Sequence, residues 1–194
     1  MAKTVELKDG TAVVIREIGA EDLEESLAFF RALPEDDRRY LRRDVTQREI
    51  VERRLADVAS GRVRRLVAQV DNHIVADGAL ELESEDWAPP TAEIRLIVAR
   101  QYQGLGLGTL MARELYLLAN QEKVEEIVVK TMGPQVAPRR IFERLGFHHD
   151  SEVTDGITDI SGARQDLIVM RCRLEELWQH VSDYLEHSDW KRTR

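Results

Sequence analysis

Three glycines at alternate positions, Gly104, Gly106 and Gly108, break the largely apolar stretch that runs from Glu93 to Met111. The residues before them read as a strand and those after them as a helix. A bend with almost no side chains lets successive backbone N–H groups turn inward together. The helix that follows adds its own unpaired N–H groups and its dipole. Such a bend is a seat for an anion, suited to a phosphate or pyrophosphate.

Two familiar nucleotide motifs do not fit this stretch. A dinucleotide fingerprint needs a glycine three residues after its second one, where this chain has Thr109. It also needs an acid about 20 residues further on, near the end of the next strand. That strand ends in Val129, Lys130 and Thr131, so the acid is missing. A nucleotide-triphosphate loop requires a Gly-Lys-Ser or Gly-Lys-Thr triplet, and the sequence contains none.

What the stretch does resemble, through Gln103-Gly104-Leu105-Gly106-Leu107-Gly108, is the Gln/Arg-x-x-Gly-x-Gly loop of the GNAT acetyltransferases. A second signature of that family is similar to Ile141-Phe142-Glu143-Arg144-Leu145-Gly146-Phe147, a helix end. The resemblance extends from residue 11 to residue 174, most of the chain. It implies an N-acetyltransferase that takes acetyl-CoA as cosubstrate, uses no metal, and passes the acetyl group directly to an amine. The segment Val14–Asp22, VIREIGAED, is similar to the opening of bacterial protein-lysine acetyltransferases. A protein lysine, a peptide amino terminus and a small amine all remain open as acceptor.

The resemblance also distributes roles. The main chain of Gly104, Leu105, Gly106, Leu107, Gly108 and Thr109 is expected to hold the pyrophosphate, with Gln103 at the family's Gln/Arg position. Val98 would offer its main chain to the pantetheine arm, and Arg139 or Arg140 would reach a coenzyme phosphate. Gln135 stands where an asparagine often contacts the cofactor, with Pro138 replacing a small residue beside it. Phe142 occupies the place of a tyrosine that protonates the leaving thiolate in many members, and phenylalanine has no proton to give. Tyr102, Cys172 or solvent would then have to supply it. That departure keeps a second reading in play, a coenzyme-A-binding sensor or partner-binding module without catalysis.

Acetyl transfer to an amine needs a held thioester, a deprotonated nitrogen and a donor for the tetrahedral oxyanion. A lysine amine has an unperturbed pKa near ~10.4, so a base or a proton-carrying water must assist near neutral pH. Glu93, near the start of the strand that leads into the glycine loop, is the expected base. Glu81 and Glu83 on the neighbouring strand are the next candidates, acting through water. His148, His149 and Asp150 also cluster, but adjacent strand residues point to opposite faces, so at most one histidine could face the site.

These residues need a frame. Residues 3–8 and 11–18 read as a hairpin around Asp9-Gly10. A helix follows with acids in its first turn (Glu21, Asp22), a stripe of Leu23, Leu27 and Phe30, and a stop at Pro34. Thr46-x-x-Glu49 reads as a capping box opening a second helix, with Ile50, Leu55 and Val58 inward and Gly61 closing it. Strands are expected at 65–70, 74–82, 91–98, 125–131, 147–153 and 165–174, with helices at 108–122 and 136–145. Residues 154–164, TDGITDISGAR, read as a mobile polar loop without apolar anchors. Hairpins at the ends and alternation in the middle give an α/β (α+β) class. The expectation is one GNAT-like domain over residues 1–174, a mixed, mostly antiparallel twisted sheet of six to seven strands with helices on both faces. Residues 175–194 would add a helix and a charged tail. That helix carries Leu174, Leu177, Trp178, Val181 and Leu185 at helical spacing. It packs either on its own domain or against a second copy in a homodimer.

Composition bounds the rest. The 194 residues suit one sizeable domain, with 43% hydrophobic and 33% charged residues. A formal net charge of −8 argues against a nucleic-acid partner, which calls for a basic face, and is compatible with a cationic amine acceptor. No apolar run approaches the ~20 residues of a membrane span. The opening MAKTVELKDG has no secretory pattern, and a single cysteine, Cys172, allows no internal disulfide. A cytoplasmic location is the expectation, with no membrane partner.

Overall fold

The computed structural model describes residues 2–83 and 89–176. Nearly all of the expected final helix, Glu175 to His187, lies outside the described residues, as does any dimer contact made through its stripe.

Two tight turns start the sheet. β1 (Lys3–Glu6) and β2 (Ala12–Glu17) pair antiparallel. The Leu7 N–H donates to the Thr11 carbonyl at 2.9 Å, leaving Lys8, Asp9 and Gly10 as the loop. Gly10 takes the left-handed φ of +86° that closes it. β3 (Val63–Val70) and β4 (His73–Glu83) are joined by Asp71 and Asn72 alone, at φ 49° and 67°. Short polar side chains tolerate that region, and a two-residue turn of this hand matches the strand twist.

β5 (Thr91–Val98), β6 (Glu126–Met132), β7 (His148–Thr158) and β8 (Arg164–Arg173) complete one sheet in the order β1-β2-β3-β4-β5-β6-β8-β7. It therefore has eight strands rather than six to seven, because the terminal hairpins join it in full. All neighbours are antiparallel except β5 and β6.

Helices cover both faces. α1 (Leu23–Ala32) and α3 (Arg48–Ala59) bury Leu27, Phe30 and Val51 against one face of the sheet with Val67 and Ile74. α4 (Leu107–Gln121) sets Met111 and Leu115 over Leu80, Ile94 and Ile127 on the other. At Gly78 a Cβ would lie 3.0 Å from Leu115 Cδ1 and 3.2 Å from Met111 Cε, so the missing side chain lets α4 approach β4. α2 (Glu35–Arg38) is a single turn, and α5 (Val136–Arg144) lies beyond β6.

One expectation about the start of α3 is corrected, and its inward face is filled out by a further residue. The capping box of Thr46 does not form: its hydroxyl donates to Asp44 Oδ1 at 2.6 Å, and Gln47 is the N-cap of α3 without a side-chain bond. Within α3, Val51 is the fully buried residue, while Ile50, Leu55 and Val58 are half-buried against it.

The polar segment 154–164 is also not a free loop. Its first half extends β7, and the tip is organised by Asp159, whose side chain is inaccessible. Asp159 Oδ1 accepts from the Ser161 N–H, the Ser161 hydroxyl and the Ala163 N–H, while Oδ2 accepts from Arg39 and Gln165. The Ser161 hydroxyl, with the other donors, holds this carboxyl far below the usual carboxylate range. One anionic centre replaces the apolar anchor that the sequence lacks.

One feature of the sheet decides where a ligand can enter. β5 and β6 pair only at Thr91–Glu126, Ala92–Ile127 and Glu93–Val128. Beyond them β5 stays with β4 and β6 with β8, so the two halves of the sheet part.

Because Asp159 collects five donors at the hairpin tip, Asp159→Ala should release that tip. Amide exchange of residues 155–163 should quicken by at least about tenfold, as expected when a buried acceptor is lost. Native-state hydrogen exchange followed by mass spectrometry would measure it, and unchanged exchange would contradict the anchor.

Candidate active site

The glycine loop lies where β5 leaves the sheet. After Val98 the chain makes a 3-10 turn (Arg100–Tyr102) and enters the bend, with Gly104 at φ +75° and Gly106 at φ +95°. Gly106 is the N-cap of α4 and has no side chain to offer, and the first intrahelical bond runs from the Leu110 N–H to its carbonyl. The N–H groups of Leu107, Gly108 and Thr109 are thus free to face a ligand. No backbone bond among the described residues uses the N–H of Gly104, Leu105 or Gly106.

Three contacts hold this seat in place. The Gln103 side chain donates to the Val98 carbonyl at 2.9 Å, so it ties the loop back to β5. The Lys8 N–H donates to the Leu105 carbonyl at 3.2 Å, and Lys8 Cε lies 3.9 Å from where a Cβ of Gly106 would be. Lys8 thereby lies beside the glycine bend from the first hairpin, a placement that nothing in its sequence context announces. At Gly108 a Cβ would meet Ile141 Cδ1 at 3.2 Å and Val98 Cγ2 at 3.9 Å, so α5 packs directly on the start of α4.

The second signature explains itself as a helix stop. Gly146, at φ +91°, donates its N–H to the Glu143 carbonyl, and Phe147 donates to the Phe142 carbonyl. This is a Schellman cap, and its customary apolar contact is made by the rings of Phe142 and Phe147, 5.2 Å apart and edge-on. Phe142 is buried but its ring also lines the cleft, together with Gln135 and Pro138. Pro138 sits in the first turn of α5, where no intrahelical bond is lost. Gln135 Oε1 accepts from the Met132 N–H at 2.8 Å, and Arg139 donates to the Gly133 carbonyl at 2.9 Å. Both brace the β6–α5 loop.

Between the parted strands opens a cleft of about 440 Å³, lined from both faces of the sheet. On the α1/α3 face, Glu93 and Glu81 are direct cross-strand partners. Glu93 is 2% exposed, so desolvation bears on a group with many cationic contacts. Arg42 donates to both of its oxygens at 2.6 and 2.7 Å, Arg95 Nε approaches at 3.2 Å and Lys130 Nζ at 3.0 Å. Glu81 is more open, paired with Arg95 at 2.8 Å. Burial, reinforced by the Glu93 charge, raises the Glu81 pKa above its ordinary value. On the α4/α5 face, the Thr131 hydroxyl lines the cleft, buried and with no hydrogen-bond partner.

Of the other expected residues, Cys172, Tyr102 and the His148–Asp150 group lie elsewhere. Cys172 is fully buried on β8, and burial pushes its thiol up to about 12. Tyr102 lines a separate groove with Leu33, Pro34 and Val75. His148 and His149 are exposed on β7, where Asp150 pairs with Arg171, and none of the three lines the cleft. Glu83 lies at the described end of β4 and does line it.

Arg42, Lys130, Arg54, Arg65, Asp77 and Thr131 are among the cleft residues that motif reading misses. For Asp77 a signal does exist: it interrupts the otherwise apolar run Ile74–Leu80, IVADGAL, whereas Arg65 stands beside Arg64 and is not marked out. A charge inside a buried strand needs a partner. Arg42, in the irregular segment before α3, carries no such mark.

An open sheet that parts around a glycine-rich helix start offers room between its strands for an extended ligand with an anionic end. The description "Acetyltransferase (GNAT) family" matches residues 24–147, and the chain belongs to that family. No curated protein sequence matches the chain significantly. Among solved structures the chain is similar to the ribosomal-protein-S5-alanine acetyltransferase from Vibrio fischeri (TM-score 0.76, 13% identity, 90% of this chain and 98% of that one). It is also similar to Mycobacterium smegmatis RimJ in complex with CoA-disulfide (0.74, 18%, 95% and 92%) and to the GNAT domain of S. lividans PAT (0.74, 15%, 89% and 96%). At these identities the likeness speaks for the fold. No helix among the described residues is long and apolar enough to cross a membrane.

A side chain at Gly106 would have to adopt a left-handed φ and stand over the seat. Gly106→Val should therefore raise the coenzyme A dissociation constant by more than about tenfold. Isothermal calorimetry measures this directly, and unchanged affinity would remove the loop as the phosphate seat.

Proposed function

We propose that the chain binds acetyl-CoA across the parted strands and transfers its acetyl group directly to an amine, with no covalent enzyme intermediate. The observation that carries this reading is one continuous path. It runs from the side-chain-free bend at Gly104–Gly108, along the unpaired edge of β5 past Val98, to the carboxylate pair Glu81–Glu93. The seat fits the cofactor's pyrophosphate because it offers main-chain donors and a helix N-terminus, with Lys8 beside it. The unpaired edges of β5 and β6 fit an amide-bearing arm as they would an added strand. Bound acetyl-CoA would supply an activated thioester.

The chain's own residues divide the remaining work. We assign proton removal from the amine to Glu81, directly or through a water, and a positioning role to Glu93. Glu93, taken from sequence as the base, has its oxygens engaged by Arg42, Arg95 and Lys130, and proton transfer to it would have to displace one of them. Glu81 has a freer carboxylate and already favours proton uptake. Phe142 cannot protonate the departing sulfur. The unpartnered Thr131 hydroxyl is the donor in the same cleft that could hydrogen-bond to it.

The acceptor is an amine, held between the Arg42 segment and α3, which line the cleft on that face. Residues 1–174 are proposed as the transferase domain, with residues 175–194 as an appendage, in a cytoplasmic protein. Phe142 favours one other reading, a coenzyme-A sensor without turnover. Consumption of acetyl-CoA when a panel of amines is offered separates the two.

A base works deprotonated, and burial, reinforced by the Glu93 charge, places the deprotonation of Glu81 above its ordinary value. The acid limb of the kcat/KM profile should lie there, with activity lost as pH falls through it. Glu81→Gln should lower kcat by roughly 10²- to 10⁴-fold and abolish that limb. If the limb survives in Glu81→Gln and vanishes in Glu93→Gln, the base is Glu93.

A further inference from the structure

The wall of the cleft on the α1/α3 face carries more positive charge than its own carboxylates balance. Among the described residues that line the whole cleft, eight are Arg or Lys and five are Asp or Glu, a surplus of three, in a chain whose net charge is −8. The surplus is not spread evenly. Arg42, Arg95 and Lys130 share two carboxylates, Glu81 and Glu93, which distribute four oxygens among them, and Arg62 is matched to Asp57. Arg54 and Arg65, in contrast, share a single carboxylate oxygen. Asp77 Oδ1 accepts from Arg54 at 2.8 Å and from Arg65 at 2.5 Å.

This pair is deep in the protein. The Arg65 side chain is 5% exposed, and its Nε–H has no hydrogen-bond partner. Arg54 lies over the Phe30 ring, 4.6 Å from its centre, with 23% of its side chain still open. Burial, then the charge of Arg65, pushes the Arg54 guanidinium down to about 10. A structural pin joining α3 to the sheet needs one guanidinium for one carboxylate. Two buried guanidinium groups on one carboxylate, with a donor left unused, leave a net charge that an incoming anion would neutralise. At the mouth Arg43 and Arg53, both exposed, have no ion-pair partner among the described residues.

The position of this cluster connects it to the carboxylate pair. Asp77 faces Ile97 and Arg65 faces Ala79 across the ladders, on the same face as Glu93 and Arg95. The Arg65 register is one side-chain step along the sheet from Glu81, roughly 7 Å. The phosphate seat feeds α4 on the opposite face, so these arginines are not its natural partners.

We propose that the acceptor carries an oxyanion, a carboxylate or a phosphate, besides its amine, and that this anion docks against Arg54 and Arg65 with Arg53 at the mouth. The inference rests on the acetyltransferase reading for the amine and names the class of acceptor. It favours amino acids, amino phosphates and acidic peptides over a lysine in a basic or neutral context.

The test compares matched amines that differ in the anion alone: alanine with alaninamide, O-phosphoethanolamine with ethanolamine, and peptides bearing Asp or Lys beside the amino terminus. Binding is measured by calorimetry on the full chain saturated with coenzyme A, and acetyl-CoA consumption is measured separately. The anionic member of each pair should bind at least about tenfold tighter. Whether alanine, phosphoethanolamine or the acidic peptide gains most identifies the source. Arg53→Glu, at an exposed and unpaired site that leaves the fold intact, should erase most of that advantage. Neutral members binding as well as anionic ones, or an Arg53→Glu protein that keeps the wild-type preference, would overturn the proposal. Absence of acetyl-CoA consumption with every amine would instead sink the transferase reading. The binding comparison, repeated without coenzyme A if that is not retained, would still decide the question of charge.

Discussion

The parting of β5 from β6 is the constraint on which the rest depends. A parallel pair in the middle of a sheet ordinarily bonds along its length. Here pairing stops after Glu93–Val128, and the two half-sheets follow different partners. Backbone groups left unpaired inside a sheet are costly unless something satisfies them. The opening is held by what surrounds it. Ile141 wedges against Gly108 and Val98, and the Phe142–Phe147 contact fixes the end of α5 behind it. Glycines 104, 106 and 108 and the Leu-Gly-Phe helix stop therefore serve one purpose, though a stretch of sequence separates them.

The two faces of the sheet are built on different physics. The α4 face is an ordinary apolar core, dense with Leu, Ile and Met. The α1/α3 face keeps an apolar patch at Phe30, Val51 and Val67 but gives way, toward the opening, to a layer of ions. Buried ion pairs are poor stabilisers, because desolvation offsets most of their attraction. A cluster in which Glu93 is met by three cations and Asp77 by two guanidinium groups is better understood as preorganised charge for a ligand than as glue.

Much of this was legible in the sequence. The glycine loop, the helix stop, all eight extended runs and the positions of α1, α3, α4 and α5 follow from period and turn chemistry, while the single turn α2 does not. What failed did so for identifiable reasons. Thr46 does not cap α3 because the helix starts one residue later, with Gln47 as N-cap, and the Thr46 hydroxyl turns back to donate to Asp44. Segment 154–164 reads as loose because order is inferred from apolar anchors, and here a single carboxylate gathers backbone and side-chain donors instead. Glu93 stands out by position alone, but the cations around it arrive from the pre-α3 segment, from β5 and from β6, and only tertiary structure brings Arg42 to it. Lys8 is invisible for the same reason: the first hairpin leans on the glycine loop through a single backbone bond.

The most direct measurement of the central claim is a crystal structure of the chain with acetyl-CoA. The account predicts the pyrophosphate against the N–H groups of Gly104 to Thr109, the arm between β5 and β6, and the thioester near the Glu81–Glu93 pair. Coenzyme bound anywhere else on the molecule, with β5 and β6 parted but empty between, would contradict it.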